Sequence, residues 1–180
     1  MDGINSYAIV AYVAGPIARF AERLRQDHYP GCAYRAHITI LPPRPLRCAD
    51  SEAIEFARQQ VSKFEPFEVK IGPVDTFSDT EVIYLSVTAG DVELGAMHDV
   101  LNTGLLEQEE EHPYAPHLTL AQEFPPDSGD QVLEICHRRW QEFGAAVPFR
   151  IEAVTFVQQR ADGNWADLAE LGLGRVSALG

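Results

Sequence analysis

At 180 residues, with 46% apolar and 23% charged side chains, the chain is long enough for one large domain or two small lobes on a shared core, and too apolar to be mainly disordered. Its formal net charge of −13 argues against gripping a long polyanion along many phosphates, although a local basic patch around Arg35, Arg44 and Arg47 remains open. With no run of roughly eighteen apolar residues, no basic-then-apolar leader, and three cysteines (Cys32, Cys48, Cys136) without C-x-x-C spacing, the expectation is a cytoplasmic protein without a membrane span, disulfide framework or zinc ribbon.

Residues 6–13 (SYAIVAYV) are β-prone and apolar on both faces, which predicts a buried strand. Gly15-Pro16 breaks it. Ile17, Phe20, Ala21 and Leu24 then recur at helical spacing and predict an amphipathic helix ending near His28, closed by Tyr29-Pro30-Gly31. Tyr34-Arg35-Ala36-His37-Ile38-Thr39-Ile40 alternates polar with aliphatic residues, as a half-buried strand does, and Pro42, Pro43 and Pro45 end it. Asp50 or Ser51 caps a second predicted helix bearing Ile54, Ala57, Val61 and Phe64 on one face. Pro66 precedes a strand over 67–71.

The same order then recurs. A strand is predicted over 82–87, then a helix capped by Asp91 with a stripe of Leu94, Met97, His98, Leu101 and Leu105. Tyr114-Ala115-Pro116-His117-Leu118-Thr119-Leu120 is the second alternating strand, again followed by a proline pair, Pro125-Pro126. Ser128-Gly129-Asp130-Gln131 has the form of a capping box ahead of a helix presenting Val132, Ile135, Cys136, Arg139, Trp140 and Phe143. Pro148 introduces a strand over 149–158, and a turn at Asp162-Gly163 leads to a hairpin partner over 165–171. Residues 72–80 are the candidate crossover between repeats of about 6–71 and 82–158. The expectation is a single bilobal domain over 1–180. Its fold class is α+β, two pseudo-symmetric lobes from an internal duplication, with antiparallel sheets flanking a central cleft and helices outside.

On a strand, residues i and i+2 share a face. His37 and Thr39 therefore point one way while Ile38 and Ile40 point into a core, and His117 and Thr119 do the same against Leu118 and Leu120. Brought together, two imidazoles and two hydroxyls suit chemistry at a phosphate. One imidazole takes a proton from the attacking oxygen, the other protonates the leaving oxygen, and the threonines donate to the non-bridging oxygens. No metal or cofactor is required.

Two His-x-Thr-aliphatic motifs, His37-Ile38-Thr39-Ile40 and His117-Leu118-Thr119-Leu120, each at the same place in a repeat, resemble those of the 2H phosphoesterases, and within them the 2′-5′ RNA ligase-like proteins. The resemblance covers most of the chain. It implies a bilobal fold with one motif on each side of a cleft, and metal-independent chemistry on 2′,3′-cyclic phosphates or 2′-5′ phosphodiesters of nucleotides or RNA ends. It further implies that His37 and His117 share the acid and base roles, here taken as His37 the acid and His117 the base, and that Thr39 and Thr119 bind the phosphate. The sequence leaves that order open, as it does cleavage against ligation. Family members often carry Arg or Lys soon after the second motif, whereas this chain has Gln122-Glu123, which points to a small nucleotide rather than tRNA. A non-catalytic nucleotide- or RNA-binding module on the same fold is the alternative.

Tyr34 and Tyr114, three residues before each histidine, are candidates for stacking on a base or donating to phosphate, or else for packing at the strand starts. Arg44 is a candidate phosphate ligand. His28, His98 and His137 read as ordinary helix residues. The acidic run Glu107-Gln108-Glu109-Glu110-Glu111-His112 reads as a solvated loop rather than a metal site. Nothing in the sequence requires more than a monomer.

Overall fold

In the computed structural model, residues 3–77, 80–125, 127–144 and 147–174 are described. In chain order they form β1 (Gly3–Tyr12), α1 (Gly15–His28), β2 (His37–Arg44), α2 (Asp50–Val61), β3 (Phe67–Thr76), β4 (Ile83–Ala89) and α3 (Asp91–Leu101). A 3-10 turn (Gly104–Leu106), β5 (His117–Ala121), α4 (Gly129–Phe143), β6 (Phe149–Ile151), β7 (Ala153–Arg160) and β8 (Trp165–Gly172) follow. The strands join in the order β6-β3-β4-β5-β2-β1-β7-β8, each antiparallel to its neighbours.

The order has an internal symmetry. Exchanging β1 with β4, β2 with β5 and β3 with β7 maps the six strands between β3 and β7 onto themselves. The third strand of each repeat therefore lies beside the first strand of the other. At the centre β2 and β5 meet side by side through one bridging pair, Ile38 opposite Leu118. The motif strands are thus neighbours at a seam in a continuous sheet, not members of two opposed sheets.

All four helices belong to a layer over one face of this sheet, where α1 packs on β5 and α3 on β2. Strand alternation sorts the side chains. Ile9, Ala11, Ile38, Ile40, Leu85, Leu118 and Leu120 turn to the helices and meet Ala21, Leu24, Leu94, Met97 and Leu101, all essentially inaccessible to solvent. The opposite face of β1 and β7 is also apolar. Ala8, Val10 and Val157 form a second, smaller cluster bordered by Tyr12 and Trp165. That explains why residues 6–13 read as apolar on both faces: one face is core and the other is the floor of a cleft.

Several local expectations change. The N-cap of α2 is Ala49 rather than Asp50 or Ser51; Glu52 accepts from its backbone N–H at 3.1 Å, half of a capping box. α3 begins after Gly90 at φ +83, where an added Cβ would sit 2.7 Å from the carbonyl oxygen of Glu68, so glycine rather than Asp91 makes that turn. Ser128 is the N-cap of α4, but its hydroxyl donates to the Pro125 carbonyl and no reciprocal box forms. The strand expected over 149–158 is split, because β6 pairs with β3 while β7 pairs with β1 and β8. Much of the expected crossover over 72–80 is strand: β3 runs on to Thr76 and pairs directly with β4. Ser78, Asp79 and Pro126 lie outside the described residues. The turn before β8 is as expected, with Gly163 at φ +85 and Asp162 accepting from the Asn164 N–H at 2.9 Å. Among the described residues no helix is long and apolar enough to cross a membrane.

Candidate active site

Counting outward from the Ile38–Leu118 bridge places His37 across from Thr119 and Thr39 across from His117, with all four side chains on the face away from the helices. Opposed positions on such a pair lie about 5 Å apart and diagonal ones about 7–8 Å, so the two imidazoles stand on a diagonal with a hydroxyl facing each. All four residues line one cleft of about 750 Å³.

Both histidines are oriented alike. His37 Nδ1 lies 2.7 Å from the Arg35 carbonyl oxygen and His117 Nδ1 lies 2.8 Å from that of Ala115. A carbonyl only accepts, so each Nδ1 carries a proton and each Nε2 is left for chemistry. The approach to His37 is braced from α1, where the Glu22 carboxylate accepts from the Ala36 N–H at 2.8 Å. Tyr12 meets the His37 ring edge-on, and Phe77 and Tyr84 pack around His117, so aromatic rings cover part of each half-buried imidazole.

That shielding sets the electrostatics. Burial is the main cause pushing both histidines below the ordinary value of 6.5. The hydrogen bonds to the Arg35 and Ala115 carbonyls oppose the shift, while Arg25, His117 and Arg35 push His37 lower still. The free site therefore favours two neutral imidazoles.

On the β1–β7–β8 side the cleft is floored by Ala8, Val10 and Val157 and edged by Trp165, Asn164 and Asp167. Arg35 lies over the Tyr12 ring, 3.5 Å from its centroid, and bonds Asp167 at 3.1 Å. Tyr12 donates to the other oxygen of Asp167, and burial together with that bond pushes the phenol up to about 12. The phenol is therefore a fixed donor.

Of the further candidates, Tyr34 lines the cleft, its hydroxyl 3.4 Å from the Gly163 carbonyl. Tyr114 and Arg44 do not reach the cleft. Tyr114 turns into the helix layer, stacks on His98 at 4.2 Å and donates to the Thr39 carbonyl at 2.9 Å. Arg44 is 3% exposed, and all three of its nitrogens are engaged away from the cleft, by the Pro42 and Leu106 carbonyls, Asn102 and Glu110. Nor is His98 an ordinary helix residue: it is 5% exposed, bonded to the Ile40 carbonyl and placed against Glu110. The acidic run accordingly sends Glu110 inward. Among the described residues no three His, Cys, Asp or Glu side chains are grouped to hold a metal ion. Sequence reasoning missed Arg25, Gln122 and Trp165 on the cleft wall. Arg25 had left a signal, since Ile17, Ala21 and Arg25 fall at i, i+4 and i+8, on the core-facing row of α1.

A helix-backed antiparallel sheet that presents paired His-x-Thr motifs on its open face is the arrangement of a 2H phosphoesterase. The 2′-5′ RNA ligase superfamily model matches residues 13–163, and the chain belongs to that superfamily. A protein of Oceanobacillus iheyensis bearing the provisional name of phosphoesterase is 29% identical over 178 residues, covering 94% of this chain and 98% of its own. Among solved structures, Escherichia coli LigT in its apo form superimposes with a TM-score of 0.64 at 13% identity, covering 96% of this chain and 99% of LigT. TT0787 of Thermus thermophilus does so with 0.65 at 14% identity, covering 94% and 99%. At those identities the two structures show a shared fold.

Proposed function

We propose that the protein is a metal-independent phosphoesterase that opens 2′,3′-cyclic phosphates or cleaves 2′-5′ phosphodiesters of nucleotides or RNA ends, or runs the same step in reverse. What supports this most is the β2–β5 seam, beside which both motif histidines and both motif threonines line one cleft. In hydrolysis of a cyclic phosphate, one imidazole takes a proton from water as its oxygen bonds to phosphorus. The P–O bond to a ribose oxygen breaks, and the other imidazole protonates that oxygen. Thr39 and Thr119 donate to the non-bridging oxygens. The family resemblance gives the two histidines the acid and base roles, and we assign the acid to His37. Arg25, Arg35 and His117 oppose that role in the free site, so His37 gains its proton as the substrate's negative charge enters. The nucleotide class is also supported by solved LigT structures that contain phosphate, 3′-AMP, ATP or NADP+. Every group used comes from one chain, so a monomer suffices.

The test is turnover of the four 2′,3′-cyclic nucleoside monophosphates in excess EDTA. Formation of a 2′- or 3′-monophosphate is the expected result and identifies the oxygen that leaves. Binding without product at any pH would favour the non-catalytic alternative, and activity abolished by EDTA would remove the metal-free mechanism.

The pH dependence carries its own expectation. Catalysis needs one neutral and one protonated imidazole, and both are held below 6.5 in the free protein. The bell for kcat/KM therefore peaks on the acid side of 6.5 and falls as pH rises through the pair. A bound phosphodiester anion favours the imidazolium, so the kcat bell lies at higher pH than the kcat/KM bell. An optimum for kcat/KM well above neutrality would contradict the placement of both rings.

A further inference from the structure

α1 ends with a buried cation that no side chain neutralises by contact. Arg25 is 4% exposed, and its Nε and Nη2 are closed off without a hydrogen-bond partner among the described residues. An arginine does not escape burial by losing its proton, and a buried charge left unpaired is heavily penalised. Arg44 shows how this fold meets the same demand elsewhere, with a carboxylate and carbonyls around the whole fork. Around Arg25 the charged and titratable neighbours among the described residues include Glu22, Cys32 and His37, and the Glu22 carboxylate is already engaged by the Ala36 N–H. The carbonyl end of α1 offsets a further part of the charge.

Arg25 does border the candidate catalytic cleft, whose wall it shares with His37, His117, Thr119 and Gln122. Its charge also acts on His37, pushing that imidazole lower. Nε and Nη2 are also the adjacent pair that together grip two oxygens of one anion.

We propose that Arg25 is a substrate-binding residue, receiving the substrate's phosphate oxygens beside His37, with a turn of the guanidinium toward the cleft that lets the anion neutralise it. This deepens the phosphoesterase reading and rests on it for the nature of the ligand, but its test does not depend on turnover. The entering anion screens Arg25 from His37, which is how charge arriving at one residue lets the other take up a proton.

The experiment is calorimetric titration of inorganic phosphate into wild type, Arg25→Gln and Arg25→Lys, with the Arg25 Nε–H and the His37 ring followed by NMR. Wild type should bind phosphate with a shift of the Arg25 Nε–H signal. Arg25→Gln should weaken binding by about ten- to a hundredfold, the usual range for a hydrogen bond to a charged group, and Arg25→Lys should restore part of it. Without phosphate, His37 should titrate higher in Arg25→Gln, and that variant should melt no lower than wild type because an unpaired charge has gone. A structural role predicts the reverse: a lower melting temperature, with phosphate affinity unchanged. Equal affinity in wild type and Arg25→Gln, no binding by wild type, or an Arg25 Nε–H signal indifferent to phosphate would each overturn the proposal, the last without needing a variant that folds. If cyclic nucleotides are not turned over but phosphate still engages Arg25, the subsite stands and the catalytic reading falls.

Discussion

His37→Ala and His117→Ala should each lower kcat on a 2′,3′-cyclic nucleotide by about two to four orders of magnitude, the range that positioned acid–base groups contribute. The fold should survive both changes. Each ring is half-buried on the open face of the sheet, and its one protein hydrogen bond runs to a carbonyl two residues away in its own segment. The loss is thus one local bond, worth about 1 kcal/mol, together with ring contacts to Tyr12 or to Phe77 and Tyr84 on the open face. The two variants should not combine additively. Without its base the site has no use for its acid, so the double variant should be about as slow as the slower single one. Retention of more than about a tenth of wild-type turnover by either single variant, with melting curves unchanged, would remove two-histidine catalysis.

The candidate site was legible in the sequence because its signal is local. A His-x-Thr-aliphatic strand states in four residues which side chains are core and which are presented, and its recurrence locates the partner. Which strands pair is a long-range matter that antiparallel sequences do not spell out. β3 and β7 each alternate like any half-buried strand, and nothing in either says that it will cross to the other repeat. The tyrosines show the limit of arguing from repetition. Tyr34 and Tyr114 hold equivalent places in the sequence, yet one lines the cleft and the other stacks on His98 in the helix layer. The difference comes from α3, which offers His98 over β2, where α1 offers Arg25 and Glu22. Arg25 was hidden for a related reason. On the core row of an amphipathic helix an arginine reads as a flank residue with its head in water, and only the cleft behind β2 and β5 shows what the head reaches.

Arg44→Met should destabilise the protein by about 3 kcal/mol, the lower end of the range for breaking a buried ion pair, because the Glu110 side chain retains 17% exposure. Methionine keeps much of the stem's volume, so the loss reports the fork. Its Nη1 donates to Asn102 and to the Leu106 carbonyl, each at 2.7 Å, Nε to the Pro42 carbonyl, and Nη2 to Glu110. Removing the cation strands the Glu110 carboxylate and a buried carbonyl together. Burial disfavours the Arg44 charge and Glu110 offsets that, so the pair is held by mutual compensation. The double variant Arg44→Met/Glu110→Gln should consequently be more stable than Arg44→Met alone. At about 2–4 °C per kcal/mol for a chain of this size, the single variant should lose roughly 6–12 °C in Tm. The chemistry should suffer far less than in the histidine variants. Arg44 closes β2 at the end far from His37, and its fork reaches the motif residues through Glu110, beside which His98 holds the Ile40 carbonyl while Tyr114, stacked on His98, holds that of Thr39. Urea unfolding and initial rates on the same preparations separate the two effects. A stable Arg44→Met protein with phosphate affinity reduced tenfold or so would instead return Arg44 to the substrate, against the direction its four bonds give it.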